Sequence, residues 1–138
     1  MNNIIRTINE LREETKGHTR LLYHVSYWNG PLNGMMLWEG KRAWFSLHSE
    51  DEQESWYFDV YEIPMDLIEE LEAEHNLFRF YVGTHTDYDS YGRLDRGSSD
   101  WGLGGLMPYN MHDKFYKGNH TEIKVDINKY HVIGRFKL

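Results

Sequence analysis

The sequence predicts an α+β fold, a curved antiparallel sheet of about five or six strands packed by two helices, with a long glycine-rich loop over one end. Three observations carry this. Apolar residues fall at helical spacing in two separate places, short runs of two-residue periodicity lie between and after them, and glycine, proline and asparagine punctuate the runs.

Taken in order, Ile4, Ile5, Ile8 and Leu11 share one helical stripe, with Asn2 or Asn3 as a cap and Gly17 beyond the end. The spacing predicts an amphipathic helix over 3–16. In RLLYHVSYW, Leu21, Tyr23, Val25 and Tyr27 alternate with Leu22, His24, Ser26 and Trp28, so both faces carry apolar groups and a central strand is predicted. NGPLNG supplies Gly30, Pro31 and Gly34 for a turn, and MMLW and AWFSLH flank EGKR as a hairpin. SWYFDVYEI is a further strand after the acidic loop SEDEQE. Pro64 and the capping-box spacing of Asp66 and Glu69 open a second helix, whose buried stripe is Leu67, Ile68, Leu71, His75, Phe78 and Val82. TEIKVDI and YHVIGRFKL alternate around Asn128 and Lys129, which predicts a terminal hairpin with Ile123, Val125 and Ile127 towards the core. The 138 residues have the length of one domain spanning 1–138.

The bulk composition narrows the function. Aromatic residues make up 15% of the chain and hydrophobic residues 40%, which is far from the composition of a disordered chain. Without cysteine there is no disulfide, thiolate metal site or cysteine nucleophile. The opening MNNIIRTINELREE is too polar for a signal-peptide core or a membrane span, and together these features predict a cytoplasmic protein with no membrane partner. A net charge of −7 argues against direct nucleic-acid binding, which draws its affinity from lysine and arginine on phosphates. The charge is uneven: Ala43 to Phe78 holds many acids and no lysine or arginine, whereas Lys114 to Leu138 is basic. An acidic solvated face is the ordinary explanation, and docking of a basic partner the sharper one.

The glycine-rich stretch from Gly83 to Asn119 is long for a connection inside a compact domain, and such loops are usually functional or disordered. Its tryptophan, tyrosines and methionines argue against disorder. Several chemistries can be drawn on it. His85, Asp87 and Asp89 at a spacing of two, with His112, Asp113 and His120 further on, are candidate metal ligands, although histidine and aspartate in loops more often cap turns. DYDSYGRLDRGS fails as a calcium loop because Tyr91 and Ser98 stand where oxygen ligands are needed. Gly102, Gly104 and Gly105 do not form a dinucleotide fingerprint, and no P-loop exists. The mixture of Arg93, Arg96, Lys114 and Lys117 with Trp101, Tyr88, Tyr91 and Tyr109 still suits phosphates beside a base. Ser98, Ser99 and Thr84 lack a nucleophile elbow. His85 with Asp87 or Asp89 has the composition of an acid/base pair. His75 and His24 read as core or element-end histidines.

The segments LYHVSYWNGPLNGMMLWEGKRAWF and AEHNLFRFYVGTHTDYD resemble a group of small uncharacterised bacterial proteins with a YWDGPLSG-like turn before a hairpin and a VGTHTDY segment after an acidic helix. The likeness covers residues 21 to 93, with Asn29 and Asn33 where that group carries Asp and Ser. It implies a shared small fold, brings the Trp28 to Gly34 turn near the Gly83 to Asp89 segment, and carries no activity with it.

These readings lead to a non-enzymatic binder of a phosphorylated or nucleotide-derived small molecule, without a cofactor. Its expected ligand residues are Tyr27, Trp28, Asn29, His85, Asp87, Arg93, Arg96 and Trp101. By analogy with counter-defence sponges, its role would be sequestration of a signalling nucleotide. The alternatives are a metal-dependent hydrolase of a phosphorylated substrate using His85, Asp87, Asp89 and His112, and an acidic inhibitor of a nucleic-acid-binding partner. Strand edges and abundant aromatics favour a homo-oligomer.

Overall fold

In a computed structural model of the chain, residues 5–27, 31–48, 57–94, 109–119 and 123–138 are described, Tyr27, Tyr109 and Asn119 by their backbone alone. The fold is α+β, and its centre is one open sheet of five antiparallel strands in sequence order: β1 (Arg20–Tyr27), β2 (Pro31–Trp38), β3 (Lys41–Leu47), β4 (Tyr57–Tyr61) and β5 (Val132–Lys137). Three α-helices accompany it, α1 (Ile8–Glu14), α2 (Met65–Tyr81) and α3 (Tyr109–Lys114), the last running into a π-helical turn over Phe115–Asn119.

Local chemistry sets the boundaries. α1 starts at Ile8 rather than at residue 3, because Thr7 and Glu10 form a reciprocal capping box that fixes the first turn. α2 begins at Met65 behind an extended Pro64 that gives no side-chain cap, and Asp66 accepts from the Leu67 amide instead of closing a box with Glu69. The β2–β3 hairpin turns on Glu39 and Gly40 with φ of 51° and 85°, the left-handed pair that a two-residue turn between twisted strands requires.

The two faces of the sheet carry two apolar clusters. One buries Phe45, Phe58 and Phe136 completely, with Ile8 and Leu11 of α1 packed against them. Each such side chain contributes about 1.5–3 kcal/mol by leaving water. Trp38 of β2 lies so close over Gly134 of β5 that a β-carbon there would collide with the indole ring, a contact across the face that reports strong curvature. On the other face Tyr23, Met35, Trp44 and Tyr61 meet Ile68 and Leu71 of α2. Arg42 and Glu72, 2.7 Å apart, add an ion pair between sheet and helix.

Three expectations are corrected. β1 is an edge strand, not a central one; an irregularity between Leu21 and Tyr23 sends these two to opposite apolar clusters, Val25 is exposed, and the outer edge is occupied by residues 86–88 through His24 N to Thr86 O (3.1 Å) and Tyr88 N to Leu22 O (2.9 Å). Pro31 and Gly34 belong to a strand rather than to a turn. The terminal hairpin does not form: residues 123–126 are not a strand, residues Ile127–Lys129 make a 3₁₀ turn, and β5 pairs with β4. Ile123, Val125 and Ile127 do pack on the second cluster, so their alternation reflects a covering segment instead of a ladder partner. The acidic loop at 49–56 lies outside the described residues. No helix among the described residues is long and apolar enough to cross a membrane.

Candidate functional site

Helical periodicity brings Leu71, His75 and Phe78 of α2 to the side that faces β1. Leu71 and His75 are buried, and a buried imidazole needs a partner. His75 Nε2 donates to Asp87 Oδ1 at 2.5 Å, and its ring stacks on Tyr23 with centroids 3.6 Å apart and planes 6° from parallel. The second oxygen of Asp87 accepts from Arg79 Nε at 2.9 Å. One carboxylate thus fastens α2 to the segment that closes the edge of β1.

Beside this pair lies a cavity of about 300 Å³. Tyr23, His24 and Val25 of β1 form one wall; Leu71, Glu74, His75 and Phe78 of α2 form another; Thr86, Phe115, Tyr116 and Ile123 complete it. Phe78 stacks on His75 and meets Phe115 edge-on, so the walls are largely aromatic. Among the described residues, the buried Tyr23 hydroxyl, Thr86 hydroxyl and His85 Nδ1 have no hydrogen-bond partner. Two of the three belong to residues that line the cavity. Orphaned buried polar atoms are uncommon and costly in folded proteins, and a bound molecule can satisfy them.

Burial pushes the Tyr23 hydroxyl above its ordinary pKa. It also lowers His24 to about 4, helped by the neighbouring His85 and His75 and opposed by Asp87. His85 is lowered by burial and by His112, again against Asp87. Both rings are therefore neutral at pH 7. Because the unfolded chain takes up protons near 6.5 and folded His24 only near 4, stability is complete above the unfolded value and declines as pH falls through that window. Denaturant titrations are expected to show about 2 kcal/mol less stability at pH 5 than at pH 7, and His24→Gln is expected to flatten that dependence.

The structure brings together only part of the expected ligand set. Asp87 is at the site, but the imidazole it holds is that of His75 rather than His85, whose ring packs against Phe78. Arg93 sits on a turn beside α1, its guanidinium 5.5 Å from the Tyr91 ring centre, and does not line the cavity. Asp89 caps that turn by accepting from the amides of Tyr91 and Arg93, which holds its carboxyl below the usual range. No three metal-ligating side chains converge among the described residues, so His85, Asp87, Asp89 and His112 do not form a coordination set there. Trp28, Asn29, Arg96, Trp101 and His120 lie outside the described residues, and Tyr27 is described by its backbone alone.

Comparison of the chain with protein-family models, curated proteins and solved structures finds no match.

Sequence reasoning missed Tyr23, Phe78, Thr86 and Phe115 as cavity residues. The available signal was His75: a histidine on an otherwise apolar helical stripe requires a buried partner, and Asp87 was the nearby acid in a loop. The two segments that carry the resemblance meet at His24 of β1, which pairs with Gly34 inside the first segment and is bonded on its other edge by Thr86 of the second.

Proposed function

We propose that this protein binds a nucleotide-derived small molecule, seating the planar base in the cavity between β1 and α2 and holding the molecule without chemical change. The observation that carries this reading is the pair of buried hydroxyls, Tyr23 and Thr86, unpartnered among the described residues and set in walls that are otherwise mainly aromatic and aliphatic. Cavities of this kind recognise planar heteroaromatic rings by face contact and by a few hydrogen bonds at the edge. Among the described lining residues there is no lysine or arginine, so the phosphate of such a ligand belongs outside the cavity. A chain that binds and keeps its ligand acts by lowering the ligand's free concentration, which fits sequestration of a signalling nucleotide.

The test begins with purified chain, denatured, and mass spectrometry of what it releases. A stoichiometric intact nucleotide supports the reading; a released hydrolysis product, or an empty protein with no saturable affinity for nucleoside phosphates, overturns it. Thr86→Val sharpens the test. Removing a hydroxyl that has no protein partner is expected to leave stability unchanged or slightly higher while weakening ligand binding about five- to tenfold. A stability loss above about 1 kcal/mol would instead mean that the hydroxyl is satisfied within the protein.

A further inference from the structure

Strand register reveals a feature that no linear motif contains. Ser26 pairs with Asn33, Asn33 with Ser46, Ser46 with Asp59 and Asp59 with Arg135, so one polar residue from each of the five strands forms a single row. Directly paired residues share a face. This row runs along the same face as Met35, Trp44 and Tyr61, one step beyond the apolar row under α2. Its far end is neutralised internally: Asp59, only 2% exposed, accepts from Arg135 Nε at 2.8 Å and from the His48 ring. Its near end stays within a second cleft of about 350 Å³, which contains Ser26, Asn33 and Ser46 and is roofed by residues 123–127, including Lys124.

The two cavities adjoin, because Val25 and Ile123 line both. Taken singly each is at the lower limit of ligand-site size, roughly 300 Å³, and joined they suit a molecule with two chemically different halves. The first half is bounded by aromatic rings and the imidazoles of His24 and His75. The second offers serine hydroxyls, the Asn33 amide group, whose Oδ1 already accepts from Ser26 N at 3.1 Å, and one lysine, groups that bond sugar hydroxyls and a phosphate. We infer that the joined cavities bind a nucleoside 5′-phosphate in one orientation: base beside Tyr23 and His75, sugar over Ser46 and Asn33, phosphate at Lys124. The inference rests on the proposed binding of a nucleotide-derived ligand and adds its class and direction.

Calorimetric titration of the full chain with the four common nucleoside 5′-monophosphates, their nucleosides and their free bases tests it. For the preferred base, the nucleotide is expected to bind at least about tenfold more tightly than the base alone. Ser46→Ala is expected to weaken nucleoside and nucleotide several-fold while leaving the free base unaffected, and Lys124→Gln to weaken the nucleotide alone and reduce its salt dependence. Both variants alter side chains in the cleft rather than the sheet backbone, and thermal melting establishes that each is folded. Equal affinity for base and nucleotide, with both variants neutral, overturns the inference and leaves the proposed function standing. Binding that responds to Ser46 and Lys124 but not to Thr86→Val overturns the shared orientation. No binding of any compound by the wild-type chain overturns both.

Discussion

Gly34→Ala is expected to lower folding stability by more than about 3 kcal/mol, and to leave little folded protein if the wild-type chain has the usual marginal stability. A β-carbon at this position would stand 2.7 Å from the His24 Cα and 2.9 Å from the Phe45 ring, and closer still to the Tyr23 carbonyl oxygen. The first and third are backbone atoms of the paired strand, so no rotamer change relieves the clash. The alternative is to push β1 away from β2, which would open the ladder and move Tyr23 and His24, two walls of the cavity. Gly118→Ala is the matched control, because a β-carbon there meets nothing within 4 Å and the change is expected to stay within about 1 kcal/mol of neutral. Urea denaturation of both variants decides the point: similar midpoints for the two would mean that β1 and β2 do not approach as closely at Gly34 as described.

The sequence was informative wherever a single element's own periodicity decides the outcome. The stripe of α2 follows from spacing alone, and Ile68, Leu71, His75 and Val82 are buried as that spacing requires. Glu39 and Gly40 announce their hairpin because only certain residues tolerate its backbone. Periodicity says which faces of a strand are covered and nothing about its lateral neighbours, which is why β1, apolar on both sides, read as central although a loop segment closes its edge. Alternation in residues 123–127 likewise records contact with an apolar surface, and a covering segment produces the same pattern as a strand. The candidate site was less legible. His75 and Asp87 were each visible, but their pairing depends on how α2 leans against the edge of β1. The polar row was invisible, since Ser26, Asn33, Ser46, Asp59 and Arg135 become one feature only when four registers are fixed together.

Asp87→Ala is expected to cost about 2–4 kcal/mol and to abolish ligand binding. The carboxylate serves two donors of unequal standing. His75 is 8% exposed, so losing its acceptor leaves a buried ring N–H with nothing to bond, and the full desolvation penalty of that group appears in the folded state. Arg79 is about half exposed and returns to water, so Arg79→Ala is expected to cost under about 1 kcal/mol. Asp87→Asn keeps an acceptor for the imidazole and should fall between them. The damage should also be local before it is global. Asp87 anchors the segment whose Thr86 carbonyl and Tyr88 amide close the edge of β1, so the amides of His24 and Tyr88 are expected to exchange faster in Asp87→Ala even where the variant is fully folded. That segment carries Thr86 into the cavity, and His75, once released from Asp87, can turn away from Tyr23. Equal losses in the alanine variants of Asp87 and Arg79, with unchanged exchange at His24 and Tyr88, would show that the carboxylate acts only as a surface charge. Faster exchange confined to the β1 edge, together with loss of binding, would identify the His75 and Asp87 pair as the clasp that forms the site.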